Sequence, residues 1–159
     1  MERMAHPPEP GTPTKVAVAG HPIHPMLVTF PIAFLSGTLG SDLAFLWFGD
    51  PFWARMSLWL VGAGTVMGVL AGIAGTVELL AIAGIRRRAA AWSHFITAVM
   101  LLALSFTNWM LRIGDPAAAV WPLGLYLSVV MMGMLAIAGW LGGHLVFEHQ
   151  VGIVSDEGD

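Results

Sequence analysis

Polar residues along this 159-residue chain come in bunches, and the intervals between them are almost wholly apolar. Four such intervals stand out, Met26–Phe48, Ser57–Gly84, Ala89–Met110 and Val120–Phe147. Each holds roughly 20 residues or more, enough for a helix to cross a hydrocarbon core about 30 Å thick. The pattern predicts an all-α, integral membrane four-helix bundle, one domain over residues 21–153. Residues 1–20 are rich in Pro and Gly and lack the apolar core of a cleavable signal peptide, so a flexible N-terminal tail is expected. Residues 154–159 form an acidic tail.

Composition supports the same reading. Hydrophobic residues make up 57% of the chain and charged residues 11%, with a mean hydropathy of +0.75. Soluble domains carry about 25% charged residues, so too few are present to cover a water-facing surface. The expected partner is the lipid bilayer, and a net charge of −3 offers nothing to nucleic acid. Arg3, Lys15 and Arg86–Arg88 lie on one side of the threaded spans, Arg55 and Arg112 on the other. The positive-inside rule then makes both termini cytoplasmic. Trp47, Trp53, Trp59, Trp109 and Trp121 fall near the outer ends, where interfacial aromatics gather. The absence of cysteine excludes thiolate-ligated iron–sulfur clusters, thiolate zinc sites and covalently attached haem, leaving His, Met and carboxylate as ligands.

Threading the spans in this orientation brings the histidines to one level. His21 and His24 begin the first span, His94 lies early in the third, and His144 and His149 close the fourth. Glu78 sits near the cytoplasmic end of the second, eight residues before Arg86. Ionisable groups inside spans are costly and usually mark function, so a shared polar site is expected. The alternative is scattered interfacial anchoring. Proline disfavours helix for the residue before it, so "HPIHP" (residues 21–25) is expected to run extended, as an arm presenting His21 and His24 on one side. Pro25 suits a first helical turn, and Pro31 is expected to loosen that span. On the third span His94, Thr97, Ser105 and Asn108 share an arc of about 80°, predicting an inward polar stripe. Glycines in "GTVMGVLAG" (residues 64–72) fit either tight helix packing or room for a planar cofactor. His144 and His149 lie about 140° apart on a helix, so both reach one site only if the helix unwinds at Gly142–Gly143. His149 is the preferred ligand, with His144 supporting it or at the interface. Asp42, at the other end of the first span, is expected to pair with Arg112 or a polar neighbour in a structural role. Met131, Met132 and Met134 are read as packing.

The phrases "GHPIHPMLVTFPIAF", "SDLAF", "GIAGTVELLAI", "WSHFITAVMLLALSFTNWMLR" and "GWLGGHLVFEHQVGI" resemble the four-span bacterial family known as domain of unknown function 2231. The resemblance covers residues 20 to about 153 and implies a multi-pass protein of the bacterial cytoplasmic membrane. Its pattern matches at His21, His24, Glu78 (where Asp is usual), His94 and His149, while His144 occupies a variable position. Relatives stand beside Rieske-type ferredoxin domains, which tilts the expectation toward redox work.

Three kinds of function fit. A small b-type haem protein in electron transfer uses His94 and His149 as axial ligands. Arg86, Arg87 and Arg88 then stand near the propionates, Thr97 lies close by, and a quinone or Rieske-type protein is the redox partner. A non-haem Zn, Fe or Cu site uses His21, His24, Glu78, His94 and His149 together. A structural subunit binds no cofactor. A proton relay through Glu78 and His94 is a weaker fourth, because a single small bundle leaves little room for a pathway without a homo-oligomer. An electron-transfer or binding subunit is expected rather than a stand-alone enzyme.

Overall fold

A computed structural model describes residues 16–18 and 21–147. Its order is β1 (Ala17–Val18), β2 (His21–Pro22), α1 (Ile23–Phe48), α2 (Pro51–Ala81), α3 (Ala83–Arg86), α4 (Ala89–Arg112), α5 (Pro116–Ala119), a π-helical turn (Val120–Gly124) and α6 (Leu125–Phe147). Four helical stretches are long and apolar enough to cross a membrane: α1, α2, α4 and the continuous run Pro116–Phe147. The expected all-α membrane bundle is the architecture found.

The first helix differs from expectation where the histidines are. β1 and β2 pair antiparallel, Val18 opposite His21, and helix begins at Ile23 rather than Met26. Pro22 is the extended residue before it, with φ −62° and ψ 125°. Thus "HPIHP" is no continuous extended arm: His21 lies in the hairpin and His24 in the first helical turn. Pro25 sits in that same turn, where a missing N–H removes no helical bond. The conformational bias against helix before proline is modest, and an anchor for His24, described below, overrides it. Pro31 is accommodated within the same helix.

The connections are built from local caps. Gly49 adopts φ +69°, and its N–H donates to Phe45 O at 2.8 Å, ending α1. Asp50 Oδ1 accepts from Phe52 N–H at 2.8 Å and Pro51 opens α2, so that helix starts six residues before the expected Ser57. Asp115 caps α5 in the same way. At the other end of α2 the Arg86 guanidinium folds back to donate to Leu80 O at 2.8 Å, meeting the partial negative charge of a helix C-terminus. The fourth span enters through a break at Trp121 (φ −111°, ψ 135°) before α6 runs regularly to Phe147. Gly142 and Gly143 stay helical, so the unwinding considered for His144 and His149 does not occur up to that point.

α1 packs chiefly on α2, and α4 on α6 and α2. The α2 glycines make these approaches close: a Cβ on Gly64 would meet Leu35 Cδ2 at 2.6 Å, and one on Gly68 would meet Leu102 Cδ2 at 2.6 Å. At these two positions the space is filled by leucine and not kept for a cofactor. Leu35, Val61, Leu101, Met131 and Leu135 form the central core, with Met131 buried as packing. Leu79, Ile85, Ala91 and Leu145 form a smaller cluster at the α3 end. The surface is inverted relative to a soluble domain. Arg112, Asp42, Asn108, Ser57, Ser105 and Ser128 are fully buried, while Trp47, Trp59, Ile73, Trp140 and Phe147 are exposed. That arrangement suits a lipid solvent, which cannot satisfy polar groups.

Candidate functional site

Inward polar groups collect at two levels. At the α3 end, His24 and His94 face each other from α1 and α4, with ring centres 6.2 Å apart and planes at 84°. Each ring is tied to a third or fourth helix through its Nδ1: His24 to Ala71 O on α2 at 2.8 Å, and His94 to Ala138 O on α6 at 3.0 Å. A carbonyl oxygen only accepts, so Nδ1 carries the hydrogen in both rings and Nε2 of a neutral ring keeps its lone pair. This is the outer support that metal-ligating histidines usually have. Glycines make room for both rings. A Cβ on Gly75 would lie 2.9 Å from His24 Cε1 and Nδ1, and one on Gly142 would lie 3.2 Å from His94 Cε1. All four spans therefore contribute to this level.

The other expected site residues fall around the pair. Glu78 is 8% exposed and lies one helical turn beyond Gly75. His21 is exposed in the hairpin, and His144 is half-buried in the last turns of α6. Thr97 is half-buried, and its hydroxyl donates to Ser93 O on its own helix at 2.8 Å. Arg86 is engaged at the end of α2, and Arg87 is exposed. His149 lies outside the described residues. Among the described residues no group of three or more His, Asp or Glu is arranged to hold a metal ion.

The second level lies about 27 Å away, since Asp42 and Arg112 each stand eighteen residues along their helices from His24 and His94. Arg112 and Asp42 form a two-pronged ion pair, Nη1 to Oδ1 at 2.6 Å and Nη2 to Oδ2 at 2.9 Å. Ser57 Oγ donates to Oδ1 at 2.5 Å and Ser128 Oγ to Oδ2 at 2.6 Å. Arg112 Nε and Nη2 donate to Asn108 Oδ1 at 3.1 and 3.0 Å, and Nη1 also donates to Ser57 Oγ. All five residues have zero exposure, and no buried side-chain polar atom among the described residues lacks a partner. The expected Asp42–Arg112 pairing is present. Charge flagged those two residues in the sequence; nothing in the pattern singled out Ser57 and Ser128. A closed cluster of this kind joins the four spans and offers no open valence to a ligand. Between the two levels lie Leu35, Leu101, Met131 and Leu135, with Thr65 and Ser105 bonded to each other nearer the Arg112 end.

The family model described as "Predicted membrane protein (DUF2231)" matches residues 20–155. No curated protein and no solved structure matches this chain.

Proposed function

This chain belongs to the DUF2231 family of predicted membrane proteins, and we propose that it is a membrane-embedded cofactor-binding protein of electron transfer, with His24 and His94 holding the iron of a b-type haem. The observation that carries this reading is the facing imidazole pair, each ring tied through Nδ1 to a backbone carbonyl and so left with Nε2 as its donor. Two imidazoles sharing one ion at about 2.0–2.1 Å per bond have ring centres at most ~6.5 Å apart, reached when they lie on opposite sides of it. The observed 6.2 Å falls within that reach, so the two rings could share one ion. Number points the same way: a haem iron asks the protein for two axial ligands, whereas a bare structural ion asks for four. Bound there, haem would supply one-electron chemistry. Leu79, Ile85 and Leu145 form an apolar cluster at the same end of the bundle, and Arg87 and Arg88 lie there as counter-charges for propionates.

A non-haem Zn, Fe or Cu centre is the second reading. It is favoured by Glu78, whose buried carboxylate lies one turn from the glycine under His24. In both readings the histidine level faces the cytoplasm of a bacterial inner membrane, where a Rieske-type protein is a fitting redox partner. The test is an absorption spectrum of purified protein, oxidised and then reduced, with metal content measured on the same sample. A Soret band with sharpened α and β bands on reduction supports haem. A colourless protein with about one or two ions per chain supports the second reading, and neither signal after reconstitution leaves a structural subunit.

A further inference from the structure

The short connection between α2 and α4 is the most positive part of the described chain. Arg86, Arg87 and Arg88 follow one another there, the first two exposed and the third half-buried. The turn is held in shape. Ile85 is buried with Leu79, Ala91 and Leu145, while Arg86 N–H donates to Ile82 O and Arg88 N–H to Ile85 O, both at 3.0 Å. Arg86 is fastened to both neighbouring spans: its Nη1 donates to Leu80 O at 2.8 Å, and its carbonyl accepts from Trp92 Nε1 at 2.9 Å. Leu80 and Trp92 are exposed apolar residues on helices long enough to cross a membrane. The Arg86 guanidinium is therefore held beside lipid-facing side chains at the end of two spans, the headgroup level at which tryptophan gathers. Its charge is not offset locally. None of the three arginines is in an ion pair among the described residues, and α4 has no acidic residue in its first turn. Asp42, Asp50 and Asp115 stand toward the opposite end of the bundle, and Glu78, the one described acid at this end, is buried.

We infer that the Arg86–Arg87 turn is a binding site for an anionic phospholipid, held by its phosphodiester. A guanidinium has five N–H donors, of which Leu80 O takes one from Arg86. The planar fork matches a pair of phosphate oxygens, and basic pockets between spans at the membrane surface are usual seats for such headgroups. The exposed Leu80 on α2 and Ile96 on α4 give the acyl chains apolar surface beside the charge. A free phosphate ion gains nothing from that surface, and a zwitterionic lipid brings its own cation to the arginines. The site does not rest on the cofactor, since Arg86 anchors it and is not one of the propionate counter-charges.

The full-length protein is placed in nanodiscs of phosphatidylcholine with a minor share of phosphatidylglycerol, released into mild detergent, and its retained lipids are counted by native mass spectrometry. Phosphatidylglycerol is expected to be retained well above its share of the bilayer. Arg86→Gln, whose amide can still donate to Leu80 O, and Arg87→Gln should each weaken retention about fivefold, and the two together about twenty- to thirtyfold, the scale of one arginine each at an anionic surface. Arg55→Gln, at an exposed arginine on the opposite end of the bundle, should retain lipid like the parent. His24→Ala should do so as well, which separates this site from the cofactor reading. The inference is overturned if phosphatidylglycerol is retained only in proportion to its share, or if Arg55→Gln loses as much as the Arg86→Gln, Arg87→Gln double variant, which marks diffuse attraction. Displacement of the lipid by millimolar inorganic phosphate overturns it as a free-anion site. Retention seen only after residues 154–159 are removed overturns it too, because the acidic tail then occupies the turn.

Discussion

Arg112 carries a full charge with no exposed surface, and each of its donor nitrogens has an acceptor. Removing one partner of such a pair strands the other, at a cost of about 3–5 kcal/mol. Arg112→Ala is therefore expected to destabilise the protein by that amount in denaturant unfolding from micelles. The double variant Asp42→Leu with Arg112→Met should recover much of the loss, because well-packed apolar replacements of a whole buried pair are often near neutral. Recovery no better than the single variant would show that Ser57, Asn108 and Ser128 cannot do without the charges. The sequence made the two charged members visible, because a carboxylate and a guanidinium deep in apolar spans need each other. The serines were not legible: a hydroxyl inside a helix usually bonds back to its own backbone, as Thr38, Thr76 and Thr97 do here. Only the depth at which helices meet distinguishes Ser57 and Ser128 from those.

At the scale of elements, the start of α1 decides the site. Helical placement brings His24 inward against Gly75, whereas the extended reading of "HPIHP" put His21 and His24 side by side. Local preference before a proline was weighed there without the tertiary anchor at Ala71 O, which lies 47 residues away in sequence. Convergence of His24, Glu78 and His94 at one end was legible, since span boundaries alone set depth. Which imidazoles face each other was not, because that depends on helix rotation. Gly75 gives a specific test. In Gly75→Ala the new Cβ would stand 2.9 Å from the His24 ring, so the ring must move and bound cofactor should fall at least severalfold. Gly40→Ala, with nothing within 4 Å of its Cβ, should leave cofactor content unchanged and gain up to about 1 kcal/mol from helix propensity. Equal cofactor content in both variants would remove His24 from the site.

For the whole molecule, a bundle that buries Arg, Asp and Asn and exposes Trp, Leu and Ile was foreshadowed by the four apolar intervals. The proposed orientation puts the Arg86–Arg88 cluster, and with it both ends of the four-span bundle, on the cytoplasmic side. The chain has no cysteine, so single cysteines give clean topology probes. Arg87→Cys should resist an impermeant thiol reagent on intact spheroplasts and react after lysis, whereas Ala118→Cys should react in both. The reverse pattern would invert the orientation. The central claim is that His24 and His94 together hold a cofactor, and it is tested most directly by measuring haem and metal per chain in the parent, His24→Ala, His94→Ala and His144→Ala proteins purified side by side. His24→Ala and His94→Ala are each expected to lose the cofactor while remaining helical, and His144→Ala to retain it. Cofactor held undiminished by both His24→Ala and His94→Ala, or none in the parent after reconstitution, would contradict it.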